Sequence, residues 1–380
     1  MDALDLLSGD AQTFVEKVWA SRVHVHEGDP DGLVGLLSFA DVDHLLTATA
    51  IRTPAVRLAR DGEVLPASAY TRSGATLAGA PLTGLVDARK VIDLFEGGAT
   101  VVLQGLHRYW QPLTRLVAEL ELALGHPCQA NAYLTPPGSQ GFAVHSDTHD
   151  VFVFQTHGSK LWEVHPAPAD GTGEPREVLL EPGLSMYLPT GTPHAARAQD
   201  TVSLHVTIGI NQLTWRTLLD RAVSRAMTSV DGDAHLPAGY LEDPSVLADG
   251  LADRLRTLAG ALAADSDAGA LAADQARSFL EQRGANLGGS LVDRMSLASI
   301  EADTPLRRRP GKPCVLRPDG ERLHVLLGDR SLTMPARIAP AVEQVRGAAT
   351  LTPADLELDP VSALVLCRRL VREGLLEVVR

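Results

Sequence analysis

The hydrophobic and polar positions divide this chain into four stretches. Between Gln129 and Asn211, short apolar or alternating runs follow one another, separated by Gly and Pro: NAYLTP, FAVHSD, DVFVFQ, KLWEVH, EVLL, SMYLP, HAARA and SLHVTIGI. Eight such runs in about eighty residues predict an all-β barrel or sandwich. Residues 1–125 mix helices and short strands. Leu36 to Leu46 reads as a helix capped near Ser38, with Asp41 and Asp43 in its first turn. Residues 57–66 read as a hairpin turning at Asp61-Gly62. Gln111 to Leu124 places Leu113, Leu116, Leu120 and Leu124 at helical spacing.

After Asn211 the alternation gives way to helical periodicity over 214–230, 245–264 and 270–284. Leu247, Leu251, Leu255, Leu258 and Leu262 fall on one stripe, which needs a surface to cover it: the barrel or a second copy of the chain. From about residue 300 the pattern changes again. TPLRRRPGKP (304–313) reads as an exposed connection, and VLRPDGERLHVLL as a hairpin. Helices are predicted to begin near Pro335, Thr352 and Asp359, and REGLLEVVR ends in a strand. Thr352-Pro353 and Asp359-Pro360 each place a capping side chain before a proline suited to the first helical position. Hairpin, helices and terminal strand resemble a winged-helix domain. The expectation is an α+β protein divided as 1–212, with its β core at about 129–211, a helical region 213–300, and 301–380.

Composition narrows the function. The 380 residues carry 34 Lys and Arg against 47 Asp and Glu, a net charge of −13, which repels a phosphate backbone on average. The last eighty residues hold thirteen basic and eleven acidic side chains, too balanced for a DNA-reading winged helix. No apolar run approaches the roughly 20 residues of a membrane helix. The first ten residues, MDALDLLSGD, lack a signal-peptide charge pattern. Three scattered cysteines form no CxxC, and a reducing cytoplasm is the expected setting.

Two motifs carry chemistry. In His145-Ser146-Asp147, residues two apart on a strand would project an imidazole and a carboxylate to one face. In the run from Gly183 through Pro189 and Gly191 to His194, a Gly/Pro-rich turn delivers a histidine. This resembles the second motif of cupin barrels, although Ala198 stands where that family often has asparagine. His145, Asp147 and His194 together form the two-histidine, one-carboxylate triad of non-haem Fe(II) oxygenases, which leaves coordination positions open.

The run from His145 to Trp162 fits the pattern HxDxxDVFxxQxxGxKxW at every fixed position, through Asp150, Val151, Phe152, Gln155, Gly158 and Lys160. It resembles the JmjC-type ribosomal oxygenases of the cupin-like superfamily. The resemblance implies a double-stranded β-helix (a cupin/JmjC jelly roll) with N-terminal helices, a helical dimerisation region and a C-terminal winged-helix-like domain. It further implies Fe(II) at the triad, 2-oxoglutarate as cosubstrate, and hydroxylation of a protein or peptide, with His or Arg of a ribosomal protein as the family's targets. By the same resemblance Lys160 receives the distal carboxylate of 2-oxoglutarate and Asn131 helps to hold it. The role suits Lys160 physically, because a buried carboxylate is costly unless an ammonium pairs with it. The bland alternative is a lysine blunting an edge strand. On the last β run Ser203, His205 and Thr207 share one face, and His205 and Thr207 join the cosubstrate candidates. His149, His157 and His165 fall outside the family pattern and read as neighbours or surface groups. A homodimer follows from the family layout, and basic ribosomal proteins would be drawn to an acidic enzyme. The rival readings are a hydroxylase of a free amino acid or peptide natural product, a cupin-type metal enzyme without 2-oxoglutarate, and a non-enzymatic cupin and winged-helix ligand sensor.

Overall fold

The computed structural model describes residues 2–74, 76–139, 143–167, 173–265 and 268–380. Its centre is an antiparallel jelly roll. In chain order the strands that build it are β1 (His24–Glu27), β2 (Val56–Arg60), β3 (Glu63–Val64), β4 (Thr100–Leu103), β5 (Cys128–Thr135), β6 (Asp150–His157), β7 (Lys160–Val164), β8 (Arg176–Leu180), β9 (Leu184–Leu188), β10 (His194–Ala198) and β11 (Ser203–Ile210). Eight of them form one sheet in the order β1-β9-β6-β11-β5-β4-β2-β3. The other three, β8-β7-β10, form the facing sheet.

The strand alternation sorts side chains between two cores. Ala130, Ala132, Leu134, Phe152, Phe154, Leu204, Val206 and Ile208 turn outward and bury themselves against Phe14, Leu116 and Leu120 of the N-terminal helices. Val151, Val153, Met186 and Leu188 turn inward onto Trp162, Val164 and Leu180 of the facing sheet. Many of the remaining inward positions are polar, among them Asn131, Tyr133, Lys160, His205 and Thr207, and they line a cavity beside that inner core.

Local chemistry accounts for the predicted elements. The helix Phe39–Thr47 begins with a reciprocal capping box between Ser38 and Asp41. The β2–β3 hairpin turns at Asp61 (φ 52°) and Gly62 (φ 82°), the left-handed pair of a tight hairpin. The helix Gln111–Leu124 buries Leu113, Leu116 and Leu120 as its spacing required. FAVHSD departs from expectation: Phe142 lies outside the described residues, and His145 makes an isolated bridge to His194 instead of joining a regular strand.

Helices Trp215–Ala226, Ser245–Asp265 and Ala268–Glu281 follow the barrel. The leucine stripe is only partly covered: Leu247, Leu258 and Leu262 are half-buried, whereas Leu251 and Leu255 are exposed. No helix is long and apolar enough to cross a membrane, among the described residues.

The C-terminal part has two three-stranded sheets, one of Val315–Asp319, Arg322–Leu326 and Ser331–Pro335, the other of Thr350–Leu351, Leu306–Arg308 and Leu376–Val378. Helices Ala339–Gly347 and Pro360–Arg372 pack against them around Val342, Val345, Leu366 and Leu370. Two expectations need correction here. The helix expected from Thr352 is a single 3-10 turn, Pro353–Asp355, because the chain must be extended again at Asp359, before Pro360. The run 304–313 is no exposed connection: Leu306–Arg308 is a strand, and Arg309 and Lys312 are buried. Arg309 pairs with Asp293 at 2.8 Å and Glu377 at 3.0 Å, and Lys312 pairs with Asp329. Their acidic partners lie far enough away in sequence that the local run reads as solvated.

Candidate metal centre

Two loops bring the three candidate ligands together. The backbones of His145 and His194 exchange hydrogen bonds of 3.0 and 2.8 Å, and Gly191 N–H donates to the Asp147 carbonyl at 3.0 Å. Asp150 stabilises the same turn. Its buried carboxylate accepts from Thr190 N–H and Oγ1, both at 2.7 Å, and from Tyr187 and Gln212. One ligand atom each from His145, Asp147 and His194 lies within 4.8 Å of the others. His194 Nε2 is 3.7 Å from Asp147 Oδ2.

The ring hydrogen bonds set the tautomers. His145 Nδ1 faces the Ala143 carbonyl and His194 Nδ1 the Thr192 carbonyl, each at 2.9 Å, so each Nδ1 donates and Nε2 is the ring atom that would coordinate a metal. Burial, chiefly, lowers the pKa of His194, which keeps it neutral. Two imidazoles and a carboxylate converging on one point fit a divalent first-row metal.

The triad opens into a cavity of about 560 Å³ between the two sheets. Lys160, Asn131, His205 and Thr207 all line it, as does His149. Lys160 starts β7, which pairs with β8 on one side and β10 on the other, so the edge-strand reading fails. Gly158 turns the chain into β7 at φ +60°, where any Cβ would meet the Val202 carbonyl oxygen at 1.9 Å. Lys160 is 3% exposed, and its Nζ donates to Thr135 Oγ1 at 3.2 Å. Burial alone brings its pKa down to about 7.

The other candidates are placed unequally. Asn131 Oδ1 is engaged by Gly105 N–H at 3.0 Å. His205 is buried, stacked on Tyr133 at 5.0 Å, and its Nδ1 has no hydrogen-bond partner among the described residues. Burial, reinforced by Lys160, holds the His205 pKa well below the usual imidazole range. Ser203 accepts from Gln155 Nε2 at 2.9 Å, which fixes the motif glutamine in place. His157 is exposed and stacks on Phe39, and His165 pairs with Glu163 at 3.0 Å.

Sequence reasoning overlooked Tyr133, Thr135, Thr100 and Arg57. The first two share the inward face of β5 with Asn131, a signal present in the alternation of NAYLTP. Thr100 donates to Thr135 at 3.3 Å and extends the polar lining toward β4. Arg57 joins the cavity only because β2 pairs with β4, which no local pattern records.

The JmjC domain family matches residues 108–218, which holds the whole triad. Human ribosomal oxygenase 1 is 29% identical over 334 residues, covering 79% of this chain and 50% of that protein. The chain is similar to the JmjC ribosomal oxygenases in sequence and carries a JmjC domain. It spans about half the length of the curated relatives it matches. Another relative, a bifunctional lysine-specific demethylase and histidyl-hydroxylase from Branchiostoma floridae, is 37% identical over 167 residues, covering 42% of this chain and 26% of that protein. A likeness in fold extends along nearly the whole chain. The structure of the ribosomal oxygenase YcfD from Escherichia coli, in complex with cobalt and 2-oxoglutarate, superposes with a TM-score of 0.52 at 18% identity, covering 98% of each chain.

Proposed function

We propose that this chain is an Fe(II)- and 2-oxoglutarate-dependent oxygenase that hydroxylates a side chain of a ribosomal protein, a histidine or an arginine. One observation carries the reading: a buried lysine without an acidic partner among the described residues shares a cavity with an open two-histidine, one-carboxylate triad. A structural lysine would be given a carboxylate by the fold; this one faces a space that a carboxylate can enter. Iron(II) held by His145, Asp147 and His194 would supply oxygen activation coupled to loss of CO₂ from 2-oxoglutarate, which leaves succinate and a hydroxylated substrate carbon.

The chain's own groups divide the remaining work. Lys160, steadied by Thr135, receives the distal carboxylate of the cosubstrate. Asn131, with its oxygen already taken by Gly105, presents its amide N–H groups to the cavity. Trp162 and His205 are the aromatic walls that keep water from that carboxylate, and Thr207 orients the Tyr133 hydroxyl. The net charge of −13 favours encounter with a basic ribosomal protein. The relatives' names, ribosomal oxygenase and histidyl-hydroxylase, support the substrate class.

We also propose a homodimer through the helical region. Trp215, Leu219 and Val223 of one helix, with Met227 in the turn that follows it, form an exposed stripe, and Trp215 is 80% exposed. Light scattering that reports a monomer at micromolar concentration would reject it.

The activity is tested by succinate release on addition of Fe(II) and 2-oxoglutarate, together with mass spectrometry of ribosomal proteins from cells with and without the gene. The expected results are succinate above background and a 16 Da deficit (one oxygen atom) on one ribosomal protein of the deletion strain. Asp147→Ala should abolish metal binding and turnover; a fully active variant would sink the triad assignment.

A further inference from the structure

The cavity floor is a set of cross-strand rows, and one of them runs past the proposed cosubstrate site. Gln155, His205 and Tyr133 are register partners across β6, β11 and β5. The row continues through Val102 of β4 to Arg57 of β2. Neighbouring strands lie about 4.8 Å apart, so the Arg57 backbone stands roughly 10 Å from that of Tyr133 on the same face. Arg57 lines the cavity that holds the triad. Among the described residues its Nε is buried without a hydrogen-bond partner and its guanidinium makes no ion pair. Asp61, at the tip of the same hairpin, also lines the cavity and is not paired with it.

A guanidinium offers five donors in a rigid fork suited to a carboxylate, and leaving it unpaired in a half-closed cavity costs free energy. Elsewhere this fold neutralises such groups: buried Arg309 has two carboxylates. Taking as given the reading that the metal and Lys160 hold the two carboxylates of 2-oxoglutarate, Arg57 is left for a second molecule. We propose that Arg57 is a specificity-determining residue that binds a carboxylate of the substrate close to the carbon that reacts. That carboxylate has two sources: the chain end of a short peptide or amino acid, or an acidic side chain next to the target residue in a longer peptide.

The test compares acid and amide probes on protein supplied anaerobically with Mn(II) and 2-oxoglutarate. N-acetylhistidine and N-acetylarginine are titrated against their carboxamides. Capped tetrapeptides with Glu beside the His or Arg are titrated against the same peptides with Gln. Binding is read by calorimetry. The proposal expects one acid probe to bind about ten- to a hundredfold tighter than its amide, as a charged hydrogen bond of about 1.5–3 kcal/mol implies. Which pair shows the preference identifies the source. The preference should vanish in Arg57→Gln and largely return in Arg57→Lys. The ligand-free melting temperature of Arg57→Gln should equal or exceed that of the unchanged chain. Equal binding or no binding of acids and amides, persistence of the preference in Arg57→Gln, or a melting temperature several degrees lower each overturn the proposal. Loss of 2-oxoglutarate affinity in Arg57→Gln also overturns it, by making Arg57 the cosubstrate's partner. Failure of the functional reading shows separately, as an unchanged chain that binds no 2-oxoglutarate; the acid and amide comparison, repeated without cosubstrate, then still decides Arg57.

Discussion

Buried cations occur in two regions of this molecule, and the fold treats them in opposite ways. At the seam between the helical region and the C-terminal sheets, Arg309 is enclosed by Asp293, Glu377 and the carbonyls of Gly288 and Gly374, and Arg380 closes on the far oxygen of Asp293 at 2.7 Å. In the barrel, Lys160 is equally hidden but has one hydroxyl for company. A buried charge that is fully paired holds structure together. One that is left a cavity in place of a counterion is poised for a ligand that brings the counterion with it.

The largest test of that contrast is to break the seam. Asp293→Ala leaves Arg309 and Arg380 facing an empty acceptor position, and should lower unfolding free energy by about 3–5 kcal/mol in urea titrations. A loss below about 1 kcal/mol would mean that the ion cluster does not hold the seam. Lys160 should behave in reverse. Lys160→Ala should raise the 2-oxoglutarate requirement about a hundredfold or more with Fe(II) affinity nearly unchanged, since the ligands of the metal are untouched. Lys160→Met, which fills similar space without charge, should leave ligand-free stability equal or higher. If Lys160→Ala turned over normally at low 2-oxoglutarate, the parallel between the missing counterion and the cosubstrate would collapse.

A smaller effect lies in pH. Lys160 titrates near 7 in the folded chain and at 10.5 when exposed. Between those values the unfolded chain holds more protons, so this group makes ligand-free stability rise with pH across the window. Below pH 7 both states are protonated and the full penalty of the buried charge remains. Urea midpoints at pH 6.5 and 9 should therefore differ more for the unchanged chain than for Lys160→Met. Binding of 2-oxoglutarate at pH 8 should take up protons, seen as a buffer-dependent heat. The smallest effect belongs to a surface pair in the same barrel: Arg197→Ala, which frees Glu177 at 3.3 Å, should change stability by less than about 1 kcal/mol because both groups are solvated already.

The sequence by itself determined seven of the eight strand runs and singled out His145, Asp147, His194 and Lys160 as candidates. The signals are local: alternation sets the strand faces, and two short motifs, one running from His145 to Trp162 and one ending at His194, hold the candidates. It also determined the caps at Ser38 and Asp359, where a side chain meets a backbone N–H three residues away. Only the tertiary structure decided the rest. RRRPGK reads as solvated until Asp293, Glu377 and Asp329 arrive from other elements to neutralise it. His145 and Asp147 converge without a regular strand, because a turn anchored by Asp150 ties their loop to His194. Arg57 reaches the cavity through pairings across β4, contacts between residues far apart in the chain. Periodicity reports which way a side chain faces. What it faces is set by which strands become neighbours, and that depends on how the whole chain packs.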